Sequence, residues 1–225
     1  MKTSALVFMA AGAVAIATVV GCGGSGTAGG PVISQPPAAR VSRFTSPTPT
    51  PTPIQLSLGE TIGTDVFPEG DTASGGNGQQ IDRINCRAFL NNQFHHHVQL
   101  SMFVNGEQIA LPRGTGMKNP GHGKFIYHAT CAYFLHTHDE TGIIHIEPPT
   151  DRTFTLKNYF DIWGEPLSTN GFAGYTGPVA VYINSTLQPG VDPNTVTFSP
   201  FEEITLVIGT PPSWIPVYLF PPGYP

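Results

Sequence analysis

The chain has 225 residues, of which only 11% are charged, and its formal net charge is −5. It contains no basic stripe that could follow a phosphate backbone, so nucleic acid is not a predicted partner. About 170 residues remain after the compositionally biased N-terminal segments, which is the usual size of one domain with its own core.

Residues 1–22 have the pattern of an export signal, a short basic start followed by a long apolar run. The end of the run, VVGC at 19–22, resembles the lipobox of bacterial lipoproteins. This resemblance implies cleavage before Cys22, lipid attachment to Cys22, and an anchor on the extracytoplasmic side of a bacterial membrane. An uncleaved membrane helix is the alternative, because about 20 apolar residues can span a bilayer. Both interpretations place the remaining chain outside the cytoplasm.

Residues 23–53 are predicted to be a disordered tether. Glycine, serine and threonine give way to alternating proline and threonine at 46–53. Such a composition cannot bury apolar surface and favours extended polyproline II. The segment therefore holds the following domain away from the membrane.

Residues 54–210 carry the signals of a β-rich domain. Apolar and polar residues alternate along 97–104, Asn105-Gly106 supplies a turn, and a return strand ends near 111. Further predicted pairs are 125–138 with 143–148 and 195–198 with 203–208, and 178–183 is a single strand. The predicted fold is mainly β, one domain with antiparallel sheets arranged as a sandwich or a partly open barrel.

One segment of this domain has helical spacing instead. Apolar residues recur through 155–163, with Thr155 as a possible N-cap and Gly164 as a stop. We expect one short helix packed on the sheet. The last residues, 211–225, are rich in proline and aromatic side chains and are predicted to lie extended against the domain.

The cysteine count fits an oxidising compartment. With Cys22 assigned to the lipid, Cys86 and Cys131 remain. Two thiols in such a compartment most simply form one disulfide.

The most informative stretch is CAYFLHTHDETGIIHIE at 131–147. In a strand, alternate residues share a face. If 139–142 is an even-length turn, His138 pairs with Ile143 and His136 pairs with His145. His136, His138, His145 and Glu147 would then share one face. A slip of one residue would separate them.

Two more histidines occupy the polar face of the first hairpin, His95 and His97, while His96 points toward the apolar side. If the two hairpins are neighbours in one sheet, five imidazoles and the carboxylate of Glu147 converge. Neutral imidazole binds zinc, copper, nickel or iron. Glu147 is either a ligand or a partner that orients a histidine. The alternative is a solvated face of ordinary surface histidines.

Two known metal patterns are only partly matched. The spacing of Cys131 and His136 is similar to that of the blue-copper proteins called cupredoxins, but no methionine follows and Cys131 would face away from His136. His136 and His138 are similar to the cupin motif, but the glutamate expected three or four residues later is replaced by TGI at 141–143.

A longer resemblance covers about 94–209. The pieces HHHVQLSMFVNG, LHTHDETGIIHIE and FTLKNYFDIWG resemble segments of a group of secreted bacterial and archaeal proteins of uncharacterised activity. Gln99 stands where that pattern usually has a third alternate histidine. The resemblance implies a shared module and no particular substrate.

These observations predict a lipid-anchored protein of the cell envelope that binds a transition metal, copper or zinc, for storage or delivery. The first alternative is a structural or interaction module without a metal, with an envelope protein as its partner. A metal-dependent enzyme is the third possibility. Motifs for serine hydrolases and zinc proteases are absent from the sequence, and Asp139 and Glu140 are interpreted as solvent-facing turn residues.

Overall fold

The structure is a computed structural model that describes residues 52–70, 75–90 and 93–224. The predicted signal segment, its Cys22 and the tether up to residue 51 lie outside the described residues. The described part of the chain is mainly β with one α-helix, which confirms the predicted fold class.

The strands within the described ranges are short, and only one of them exceeds six residues. In chain order they are β1 (Ile54–Gln55), β2 (His96–Val104), β3 (Glu107–Ile109), β4 (Met117–Lys118), β5 (Cys131–Ala132), β6 (Leu135–His136), β7 (Ile143–Ile146), β8 (Leu167–Ser168), β9 (Gly171–Phe172), β10 (Tyr175–Thr176), β11 (Val179–Ile183), β12 (Thr186–Leu187), β13 (Glu203–Ile208) and β14 (Tyr218–Leu219). The helix α1 is Leu156–Trp163, and a 3-10 turn covers Pro193–Thr195.

Seven strands form the main sheet in the order β12-β11-β13-β2-β7-β6, and β3 also pairs with β2. β2 and β13 run parallel, and the other neighbours are antiparallel. The two outer strands, β12 and β6, do not pair with each other, so the sheet is open. Three small sheets surround it: β1 with β14, β4 with β5, and β8 with β9 and β10.

The helix forms as its sequence predicts. The Thr155 side chain accepts a hydrogen bond from the backbone N–H of Asn158, which caps the first turn. Gly164 ends the helix with φ of 85°, a left-handed conformation that glycine adopts without strain. The apolar side of α1 is buried against the main sheet, with Trp163 at 2% exposure.

The alternation along β2 places its side chains in two layers, and both layers are buried. Val98, Leu100 and Met102 belong to the main core beside α1. His97 and Gln99 point to the opposite layer, where each is at most 1% exposed. The alternative of a solvated histidine face is therefore wrong.

The opposite layer is covered by both ends of the described chain. β1 and β14 pair in parallel, and Leu56 and Tyr218 pack against Ile143 on β7. The hydroxyl of Tyr218 donates a hydrogen bond to Gln108 Oε1 at 2.8 Å, while Gln108 donates to Ser101 Oγ at 3.1 Å. A polar sheet face is thus enclosed by apolar and hydrogen-bonded contacts together.

One predicted strand pair is wrong and another is only partly right, since β6, at the end of 125–138, does pair with β7. The segment 125–138 is not one strand, because β5 leaves the main sheet to pair with β4, held there by the Cys86–Cys131 disulfide and a bridge between Arg87 and Ala132. The segment 195–198 does not pair with 203–208. Asp192 accepts a hydrogen bond from the Asn194 N–H and starts a 3-10 turn there, and β13 pairs with β2 and β11.

Other predicted elements are confirmed. β2 and β3 form the hairpin around Asn105-Gly106, with Val104 opposite Glu107. β11 corresponds to the predicted strand at 178–183. The disulfide joins the two predicted cysteines across a sequence separation of 45 residues.

Candidate metal centre

Three histidines lie in one row across three neighbouring strands. His97 on β2 is directly opposite His145 on β7, and His145 is directly opposite His136 on β6. Facing side chains of adjacent antiparallel strands stand on the same face about 4.5–5.5 Å apart at Cβ. Both conditions for the convergence of the histidines are therefore met, the pairing of His136 with His145 and the adjacency of the two hairpins.

His138 reaches this row from a loop and not from a strand. The ladder between β6 and β7 ends at His136, and Ile143 pairs with Gln99, so the predicted pairing of His138 with Ile143 is wrong. Thr137 pairs with another segment instead of β7: its backbone N–H donates to the Thr115 carbonyl at 3.0 Å and its hydroxyl donates to the Pro112 carbonyl at 2.7 Å. The imidazole of His138 still contacts His145, with ring centroids 4.4 Å apart.

One group of donor atoms gathers around Nδ1 of His145. His97 Nε2 lies 3.1 Å from this atom and His95 Nε2 lies 3.2 Å from it. Oε1 of Glu147 is 3.1 Å from His95 Nε2 and 3.8 Å from His145 Nδ1. Three imidazole nitrogens and one carboxylate oxygen therefore lie close together.

A second group is formed by His136 and His138. Their Nε2 atoms are 3.1 Å apart. Nδ1 of His136 lies 2.9 Å from the Tyr133 carbonyl oxygen, and Nδ1 of His138 contacts the Ile126 carbonyl oxygen. A carbonyl oxygen only accepts hydrogen bonds, so each Nδ1 must carry the proton. In the neutral rings, two Nε2 lone pairs then face each other.

The cluster is electrostatically unusual because it is buried. Burial lowers the pKa of His136 and of His145 well below the ordinary value, and repulsion among the neighbouring histidines lowers both further. Burial also lowers the pKa of His95 and of His138. It raises the pKa of Glu147, whose ion-pair partners among the described residues are His95 and His145. Burial therefore favours the neutral form of these four imidazoles, which is the form that binds metals.

Two aromatic side chains cover the cluster and were not predicted as part of it. The ring of Tyr224 lies 4.3 Å from that of His97 and 5.5 Å from that of His145, centroid to centroid. Phe125 stacks on His138 at 4.8 Å with planes 8° apart. The sequence shows that 211–225 is aromatic, but nothing in it says which face of the sheet this segment covers.

A cavity of about 580 Å³ opens beside the second group. His136, His138 and Glu147 form part of its wall. The remaining lining residues are Arg87, Ala88, Phe89, Leu90, Met117, Tyr127, His128, Ala129, Thr130 and Ala132. This volume lies in the range of small-molecule sites. A small ligand could therefore reach the pair formed by His136 and His138.

Asp139 and Glu140 are not solvent-facing, and the sequence-based interpretation of them is wrong. They are 2% and 4% exposed, because the segment near 57–62 covers their loop. Asp139 accepts hydrogen bonds from the backbone N–H groups of Gly59 at 2.8 Å and Thr141 at 3.1 Å. Glu140 accepts from the Arg113 guanidinium at 2.6 Å. Both carboxylates fix the loop that separates His138 from β7.

Gln99 and the three remaining histidines lie outside the cluster. Gln99 is opposite Ile143 and donates to Ser101 Oγ at 3.0 Å, so it is a neighbour of the histidine row and not a member. His122 and His128 are exposed, and His96 is half-buried. Cys131 is bonded to Cys86, which removes the thiolate that a cupredoxin-type copper site would need.

No protein-family model, curated protein or solved structure matches this chain. Within the described ranges, no helix has both the length and the apolar character needed to cross a bilayer. The structure by itself shows two histidine groups that could hold a metal ion: His95 with His97 and His145, and His136 with His138 and His145. In each group the candidate ligand atoms lie within 4.8 Å of one another.

Proposed function

We propose that the protein binds copper or zinc through this histidine cluster and serves to store or deliver the metal in the cell envelope. One observation carries the proposal, the pair of Nε2 atoms of His136 and His138 that face each other at 3.1 Å. Two lone pairs at this distance repel each other unless a cation lies between them. The arrangement is that of two ligands already oriented toward one ion.

A proton is a poor candidate for that cation at neutral pH. Protonating either ring would create a buried charge, and burial lowers the pKa of both His136 and His138. A divalent metal satisfies both lone pairs at once and needs the neutral rings. The carbonyl groups that fix each Nδ1 then act as outer partners that orient the ligands.

The donor set supports copper or zinc among the common metals. It consists of imidazole nitrogens with one carboxylate, and the disulfide leaves no thiolate in the cluster. Imidazole suits zinc, copper, nickel and iron, whereas magnesium and calcium prefer sites built of oxygen atoms. The five histidines and Glu147 provide more donors than one ion requires, which fits a protein that accumulates or passes on metal.

The cellular role rests on the N-terminal sequence. A lipid on Cys22 and a proline-rich spacer would place the cluster on the extracytoplasmic side of the membrane. There the protein would bind metal that is about to enter the cell or that has just left it. Expression with a labelled fatty acid tests the anchor. The wild-type chain should incorporate the label and Cys22→Ala should not, whereas equal labelling of both would contradict the anchor.

The metal proposal is tested on the full chain, purified in mild detergent, stripped with chelator and dialysed separately against copper and zinc. Mass spectrometry should then find bound metal at a fixed molar ratio for one or both ions. His136→Ala/His138→Ala should lose part of it, whereas His122→Ala, which changes an exposed histidine outside the cluster, should keep all of it. An unmutated protein without stoichiometric metal would overturn the proposal and favour the interaction module.

A second candidate function is a reaction at the bound metal, and the cavity beside His136 and His138 favours it. A metal held there would face a space that accepts a small molecule. Soaking the copper-loaded protein with azide, a small anionic metal ligand, should produce a new ligand-to-metal absorption band if the cavity reaches the ion. An unchanged spectrum would leave storage or delivery as the function.

A further inference from the structure

The two histidine groups share one member, His145. We propose that the cluster binds two metal ions, with the imidazole ring of His145 bridging them through its two nitrogen atoms. The inference rests on the proposed metal function and assigns its stoichiometry and its central ligand. One ion would take His95, His97 and Glu147, and the other would take His136 and His138.

The position of His145 in the sheet supports the bridge. Its strand lies between the strands of His97 and His136, so its side chain has one neighbour on each side. Ring contacts within the described residues join His145 to all four other histidines of the cluster. The two histidines of each outer pair also contact each other. Their ring centroids lie 4.5 Å apart for His95 and His97 and 4.9 Å apart for His136 and His138.

The short contacts between donor atoms favour two ions over one. An ion with bonds of about 2.0–2.1 Å holds its ligand nitrogens no more than about 4.2 Å apart. The close contacts of the cluster fall into two sets, one around His145 Nδ1 and one between the Nε2 atoms of His136 and His138. Each set matches the ligand spacing around one ion.

The bridge has a defined proton balance. A neutral imidazole carries one N–H, so it can bind one ion through its unprotonated nitrogen without further change. Binding the second ion forms a new metal–nitrogen bond and breaks that N–H bond, and the proton passes to the buffer. The ring becomes an imidazolate whose negative charge lies between two cations. No redox partner is required.

Copper(II) is the probe that tests the bridge, using the full chain in mild detergent. We expect two copper ions per chain and an electron paramagnetic resonance signal that integrates to clearly less spin than the copper bound, because a bridging imidazolate couples two copper(II) spins antiferromagnetically. His95→Ala/His97→Ala and His136→Ala/His138→Ala should each retain one copper with full spin. His122→Ala should behave as the wild type.

The outcomes separate the two proposals. One copper per chain, or two with full spin intensity, would overturn the bridge and leave the metal function intact. No bound copper or zinc would overturn both. If zinc binds and copper does not, the zinc measurement decides. Two zinc ions per chain, with one lost in each double variant, support the inference, and one zinc ion per chain overturns it. The wild-type measurements decide between these outcomes even if a double variant fails to fold. Replacing the same histidines with glutamine gives a milder pair of double variants.

Discussion

The two faces of the main sheet are both buried, but they are built from opposite chemistry. One face packs Val98, Leu100 and Met102 against the aromatic side of α1. The other encloses titratable histidines under two chain ends. Apolar burial stabilises the first face at about 25 cal/mol per Å², whereas burial of the second removes polar groups from water at a cost. The stability of the fold therefore depends on the apolar face, and the histidine face is available for chemistry.

The largest expected effect comes from the apolar face. Trp163→Ala removes a buried ring that contacts Phe67 and Phe160. The free energy of unfolding should fall by about 3–5 kcal/mol, measured by chemical denaturation of the metal-free protein. Trp214→Ala, at a side chain that is 61% exposed, should change it by less than about 0.5 kcal/mol. Equal effects would contradict this account of the core.

Bound metal should stabilise the folded protein through the histidine face and not through the rest of the domain. At a free metal concentration of one hundred times Kd, the free energy of unfolding should rise by about 2.7 kcal/mol per site. His136→Ala/His138→Ala should lose part of this gain, since it removes two donors. Thermal unfolding with and without chelator measures the effect, and an undiminished gain in the double variant would place the metal away from His136 and His138.

Acid should weaken the histidine face of the metal-free protein. The pKa values of His136 and His145 are lowered by burial from the ordinary 6.5, so the unfolded chain binds more protons below that pH, and stability falls as the pH drops through this range. The raised pKa of Glu147 acts in the opposite direction. We expect a net loss of about 1–2 kcal/mol per pH unit below 6.5. A flat profile would mean that these histidines are not buried in solution.

The smallest expected effect concerns the start of α1. Thr155→Ala removes the capping hydroxyl that accepts the Asn158 N–H, and it should cost about 1 kcal/mol of unfolding free energy. Thr155→Ser retains the hydroxyl and should be nearly neutral. Metal binding should be unchanged in both, because α1 lies on the opposite face of the sheet. A loss of metal affinity in Thr155→Ala would show that the two faces are coupled.

Local patterns in the sequence predicted much of this structure. The Asn105-Gly106 turn, the helix between Thr155 and Gly164, and the parity that sets His136 opposite His145 all follow from residue periods and turn chemistry. The disulfide between Cys86 and Cys131 followed from the count of cysteines in an oxidising compartment. Each of these signals lies within one helix or one hairpin, or depends on composition alone.

Contacts between distant segments decided the rest. The sequence by itself determined that histidines recur at every second position in two segments, because a period of two is a local property. Only the tertiary structure decided that β2 lies beside β7, that Thr137 and His138 bond to segments other than β7, and that Tyr224 covers the cluster. Pairings across many residues depend on the packing of the whole chain, and burial of a polar face depends on which segments cover it. A row of surface histidines and a buried metal centre can therefore share one sequence pattern.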